Sequence, residues 1–318
     1  VFIQPELRDN VTAPEQTTWD VKAMRAGGDA LQQQAARRGN ASRTGRSGGE
    51  PGPSVDIQVV RIARVYGEAE LALRVLSPTS PETSGANTPI MVAPHGGGYV
   101  AGRAHFDDER NAMLAWELGV RVVSPEYRLA PEHPFPAGRD DVVAAFEWAQ
   151  QAYPSAPLLG FGDSAGSGLL YSAVVEYLLQ GGAQVSACVY LEPCIDPLLQ
   201  ERSMQTCADG PIWTLKAARH AWAAYCAGAN PAEVMPDVQA AAVRLADADR
   251  CLPASFVVVN PVDPLRDEGI RFACDLVDAG VEAQLHMWEG TFHGSLGYPV
   301  ASWHEMNCSI KRFFSKRG

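Results

Sequence analysis

From residue 90 to the C-terminus, short apolar runs alternate with longer stretches of helical period. That alternation points to a mostly parallel sheet covered by helices on both faces. The runs Ile90–Ala93, Arg121–Pro125, Leu158–Phe161, Val185–Leu191, Phe256–Asn260 and Ala283–Trp288 are expected as strands. Helices are expected at 107–118, Asp140–Gln151, Ala165–Leu179, Arg266–Ala279 and 301–315. The strand runs are almost continuously apolar, as burial on both sheet faces requires. Ahead of them, Asp56–Arg64 and Leu71–Leu76 alternate as two strands joined by a turn, for eight strands in all. In such sheets ligands bind beyond the carboxyl ends of the strands.

The chain's 318 residues and 46% hydrophobic content suffice for one α/β domain with an inserted cap. A net charge of −11 disfavours nucleic acid and anionic membrane as partners. No apolar run approaches the roughly 20 residues that span a bilayer. All seven cysteines lie from Cys188 onward, with no C-x-x-C pair, no zinc-ligand spacing and no sign of a disulfide framework. Reduced thiols and the lack of a signal-peptide pattern lead to a cytoplasmic expectation. Near the N-terminus, Met24, Leu31 and Ala35 fit a helical face, and 37–54 has the Gly, Ser, Pro and Arg content of a linker.

The chemistry is expected at the strand ends. Gly162-Asp163-Ser164-Ala165-Gly166 follows one strand and opens a helix, the context in which G-x-S-x-G lifts a serine hydroxyl out of a strained turn. Small neighbours let the chain fold tightly around Ser164, and the following helix directs unpaired N–H groups toward the reacting carbonyl. His95-Gly96-Gly97-Gly98-Tyr99 follows the strand at 90–93. A glycine triplet there frees backbone N–H groups to face a ligand, as an oxyanion requires. Gly97, Gly98 and Ala165 are the expected donors, and His95 is expected to order the loop.

The acid and base follow from chain order, which in hydrolases with such an elbow runs serine, acid, histidine. Asp263, between two prolines just past the strand 256–260, is the expected acid. Asp267 and Glu268 fall in the first turn of the next helix, where carboxylates complement the helix dipole. Of seven histidines, three precede Ser164, and His220, His286 and His304 sit in the cap, a strand and a helix. His293 remains, in Gly290-Thr291-Phe292-His293-Gly294 directly after the last strand. Asp263 would orient its imidazole, and His293 would take the Ser164 proton.

From about residue 88 onward the chain resembles the bacterial hormone-sensitive-lipase-like esterases, which have the α/β-hydrolase fold. Five blocks carry the likeness: His95–Tyr99, the run YRLAPEHPFPA at 127–137, Gly162–Gly166, Asp263–Gly269 and Gly290–Gly294. The resemblance implies a helical cap built from residues 1–55 and from about 196–250, on a catalytic domain spanning 56–318. It implies hydrolysis of small or medium acyl carboxylesters, or lactones, through an acyl-enzyme, with no cofactor or metal. Within the cap, Trp213, Trp222 and Tyr225 are expected with Tyr99 and Phe292 around the substrate. It also implies a structural role near the site for the proline-rich 127–137 run. The elbow continues Ser167-Gly168-Leu169 where members show Gly-Asn-Leu. An amidase or formamidase with the same residues stays open, as does a small-molecule receptor on this fold. A homodimer through the 283–288 edge strand also stays open.

Overall fold

The computed structural model describes residues 2–10, 21–22, 25–27, 55–64, 69–79, 85–297 and 300–316. The expected helical face at Met24, Leu31 and Ala35 and the 37–54 linker lie outside these residues. Eight strands form one sheet: β1 (Val55–Ile62), β2 (Leu71–Pro78), β3 (Ile90–Val92), β4 (Arg121–Pro125), β5 (Leu158–Asp163), β6 (Val185–Leu191), β7 (Ala254–Val259) and β8 (Ala283–Met287). Their spatial order is β1-β2-β4-β3-β5-β6-β7-β8. The first two strands join antiparallel, and every pairing from β4 to β8 is parallel. The sheet is therefore the eight-stranded, mostly parallel one the alternation predicts.

Helices α1 (Asp108–Leu118), α2 (Ala137–Ala152), α3 (Ala165–Leu179), α8 (Arg266–Asp278) and α9 (Ala301–Phe314) cover the two faces. Leu114 of α1 packs with Trp303, Met306, Ile310 and Phe313 of α9 against one face. Phe146, Leu169, Tyr177 and Phe272 of α2, α3 and α8 lie in the core of the other. Strands β3 and β4 are buried at every position, which explains their lack of alternation. Between β6 and β7 lie α4 (Arg202–Thr206), α5 (Leu215–Cys226), α6 (Pro231–Val234) and α7 (Val238–Asp247). Polar side chains start three of them: Thr214 accepts from Ala217 N at 3.1 Å, Asn230 from Ala232 N at 3.1 Å and Asp237 from Ala240 N at 2.9 Å. These helices form the cap, although α7 returns to pack on α3 and α8. No described helix is long and apolar enough to cross a membrane.

Candidate active site

Five parallel strands, β3 and β5 to β8, end at one rim, and each delivers a side chain or loop there. Ser164 leaves β5 with φ 56° and ψ −119°, a conformation that L-residues adopt only under constraint. The turn is fixed from both sides. Ser164 N donates to Leu191 O at 2.9 Å, and Ser167 Oγ donates to the same carbonyl at 3.0 Å. A Cβ at Gly166 would stand 2.2 Å from Pro94 O, so only glycine lets the elbow approach the β3 loop.

Beyond β7 and β8 the loops converge on Ser164. His293 Nε2 lies 2.9 Å from Ser164 Oγ, and His293 Nδ1 lies 2.9 Å from Asp263 Oδ2. Asp263 is held in turn by Leu265 N, which donates to its Oδ1 at 2.9 Å. The loops themselves are joined by a parallel bridge between Val262 and Phe292. Ser164, Asp263 and His293 are all buried, so their hydrogen bonds act in a medium of low effective dielectric. The structure thus brings together in one hydrogen-bonded row the three residues singled out from the sequence.

The glycine loop after β3 lies against this row. A Cβ on Gly96 would meet Asp163 O at 3.2 Å and Ser164 Cβ at 3.6 Å. Gly97 and Gly98 have φ of 121° and 58°, and a Cβ at Gly98 would strike the Trp213 ring at 2.6 Å. His95 supports the loop from beneath. Its Nδ1 lies 2.7 Å from Gly96 O, and its ring stacks on Tyr127 at 4.1 Å. Burial pushes the His95 imidazole down to about 4, which keeps it neutral. The 127–137 run is the loop's outer brace. Tyr127 donates to His95 O at 2.9 Å, and Ala130 N donates to Tyr99 O at 3.0 Å. Arg25 crosses over both segments, donating to Val100 O at 2.8 Å and pairing with Glu132 at 2.6 Å.

Aromatic residues line the cap side. Tyr99 stacks on Tyr225 at 4.1 Å and meets Trp222 at 4.8 Å, and its hydroxyl donates to Cys194 O at 2.6 Å. The Trp213 ring lies 5.8 Å from that of His293. Phe292 is fully buried, with its N donating to Ser295 Oγ at 3.0 Å. The Tyr99 hydroxyl also explains Gly168, because a Cβ there would stand 2.1 Å from it.

Two participants, Asn260 and Glu192, have no part in the sequence reading of the site, and Asp163 stands there only as a member of the elbow motif. Asp163 is ion-paired with Arg110 of α1, which also holds Asp107 at 2.6 Å. Asn260 donates from Nδ2 to Asp263 Oδ2 at 3.5 Å and to Glu192 Oε2. Glu192, just past β6, accepts from Gly294 N at 2.6 Å, and its Oε1 lies 3.9 Å from His293 Nδ1. Burial pushes the Glu192 carboxyl well above the usual carboxylate range, against the pull of His293. Burial also lowers the His293 imidazole, but Glu192 and Asp263 outweigh it and raise its pKa. The two shifts are linked, because a proton on Glu192 cancels its share of the pull on His293. Among the described residues, Glu192, Asp263 and His293 also form a group whose ligand-type atoms lie within 4.8 Å of one another. Those atoms are already engaged with Ser164, Asn260, Leu265 and Gly294.

The likeness to known proteins follows the same residues. A family model described as alpha/beta hydrolase fold matches residues 91–297. The chain is 32% identical to the carboxylic ester hydrolase LipN of Mycobacterium tuberculosis, over 84% of this chain and 73% of LipN. Among solved structures, a bacterial heroin esterase superposes with a TM-score of 0.78 at 27% identity, covering 98% of this chain and 96% of that one. An esterase from the bacterial hormone-sensitive lipase family gives a TM-score of 0.79 at 25% identity, over 100% and 99% of the two chains.

Proposed function

Since the chain belongs to the α/β-hydrolase fold family, as a serine-type esterase acting on carboxylic esters, we propose that Ser164 is its nucleophile, His293 its general base and Asp263 the acid that orients the base. The observation that carries this reading is the unbroken row of two 2.9 Å contacts from Ser164 Oγ through His293 to Asp263. Ser164 Oγ attacks the ester carbonyl as His293 Nε2 accepts its proton. The tetrahedral oxyanion is held by the N–H groups of Gly97, Gly98 and Ala165. His293 gives the proton to the leaving alcohol and then draws one from water, whose oxygen attacks the acyl carbon; the bond to Ser164 Oγ breaks, His293 returns the proton to that oxygen, and the acid leaves.

The aromatic cluster of Tyr99, Trp213, Trp222 and Tyr225 supports an apolar site for esters with small or medium acyl groups. Residues 1–55 and 196–250 are proposed as the cap, resting on a catalytic body at 56–318. The exposed Leu285 and Met287 on the β8 edge support pairing with a second copy, which sedimentation of the intact chain would detect.

The test is the rate on p-nitrophenyl acetate, butyrate and octanoate for the wild type and Ser164→Ala. Loss of a triad serine is expected to lower kcat by about 10⁶-fold. A Ser164→Ala variant that keeps more than about a hundredth of the wild-type rate would refute the assignment, since the oxyanion donors alone cannot supply that much.

A further inference from the structure

Glu192 is a second carboxylate behind the base, and a hydrolase needs only one there. It is buried, and its backbone sits at φ 40°, a left-handed conformation costly for a residue with a Cβ. Its oxygens are both placed. Oε1 accepts from Gly294 N at 2.6 Å, which fixes the residue after His293. Oε2 accepts from Asn260 Nδ2, whose amide also reaches Asp263. A neutral glutamine oxygen would hold Gly294 equally well. Burying a carboxylate costs several kcal/mol unless a positive charge answers it. The charge that develops on His293 during attack lies 3.9 Å away, at the ring nitrogen that Asp263 binds.

We propose that Glu192 is a positioning residue for the base: it pins the His293 loop through Gly294 N–H and shares with Asp263 the stabilisation of the imidazolium, so that it carries part of the acid's role. The inference rests on His293 being the base. The ionisable groups facing this pair are Asp263 after β7, Asp163 at the elbow, and Arg110 reaching in from α1. Asp163 acts on both members of the pair, and Arg110 on Glu192. Glu192 and Asp263 exert the largest pull on His293, and Asp163 adds to it.

The experiment compares kcat/KM against pH for p-nitrophenyl acetate in the wild type, Glu192→Gln, Asp263→Asn and the double variant. Glu192→Gln keeps an oxygen for Gly294, removes the ionisable carboxyl and turns the acceptor of Asn260 Nδ2 into an NH2 group. Its acidic limb is expected to move down by about one pH unit, as loss of a carboxylate near an imidazole dictates. Asp263→Asn is expected to retain at least about tenfold more activity than the double variant, because its base still has a carboxylate within reach. An unmoved limb together with equal activity in Asp263→Asn and the double variant overturns the proposal. Should Glu192→Gln fail to fold, ¹⁵N-histidine NMR titration of Asp263→Asn decides. His293 titrating above about 6.5 supports Glu192 as its partner, and a value at or below that overturns it. Failure here is distinct from failure of the esterase reading. The NMR titration reports on His293 whether or not ester turns over, and Ser164→Ala tests turnover without touching Glu192.

Discussion

Replacing Arg110 with methionine tests whether the elbow rests on a buried ion pair. Arg110 is 8% exposed and reaches across α1 to Asp163, the residue before the nucleophile, and to Asp107. Its guanidinium also lies 5.5 Å above the Phe161 ring of β5. Arg110→Met keeps the apolar stem but strands two carboxylates whose side chains are 16% and 15% exposed. Breaking a buried pair in this way costs about 3–5 kcal/mol, most of it the penalty of the charge left behind. The triple variant with Asp107→Asn and Asp163→Asn removes that charge and is expected to recover all but about 1–2 kcal/mol. Urea unfolding followed by fluorescence measures both, read as a shift in midpoint at unchanged slope. A pH series adds a signed check. Burial already pushes the Asp107 carboxyl up to about 6 against the pull of Arg110. Without that pull its folded pKa stays above the unfolded value of about 3.9, so the folded state holds the extra proton. The deficit of Arg110→Met should therefore shrink as pH falls from 8 toward 6. A loss below about 1 kcal/mol, or a deficit that grows on acidification, would refute the reasoning.

Gly98→Ala places a methyl group 2.6 Å from the Trp213 ring at a φ of 58°, so the loop must move. A fall of about 10²–10³ in kcat is expected from a displaced oxyanion donor, and unchanged kcat would remove Gly98 from that role. Trp213→Ala opens the wall beside His293, and the octanoate-to-acetate ratio of kcat/KM should rise by about tenfold. An unchanged chain-length profile would mean that Trp213 does not bound the acyl site. Arg25→Ala removes the crossing bonds to Val100, Ala130 and Glu132. Both partners are partly exposed, so stability should drop by no more than about 1 kcal/mol in urea unfolding, and a larger drop would assign Arg25 a core role.

How far the site could be read from sequence depended on whether each residue's neighbours in the chain are also its neighbours in space. Ser164 and Gly97 stand in short glycine-bearing motifs after apolar strands, and His293 stands in one a few residues past β8. Their local sequence therefore specifies the turn that exposes them. Asp263 was legible by position, as the carboxylate between two prolines in a strand-to-helix loop. Glu192 has no motif, and its meaning arises only where β6 lies beside β7 and the β8 loop folds back so that Gly294 N–H meets its carboxylate. A charged residue directly after seven mostly apolar ones was the available signal, because such a position faces the carboxyl rim of the sheet. Glu268 was read only in part, for a related reason. The first turn of α8 suits a carboxylate, yet this one is fully buried and accepts from Ile195 N at 2.7 Å and Asp196 N at 3.2 Å. It ties the loop that begins with Glu192 to the helix that follows Asp263. Glu192, Asn260 and Glu268 thus fix the distance between the β6, β7 and β8 loops, which is the spacing His293 needs to meet Asp263 and Ser164 together. Motif residues announce the reaction; the buried polar residues joining separate loops hold its geometry, and nothing adjacent in the chain marks them.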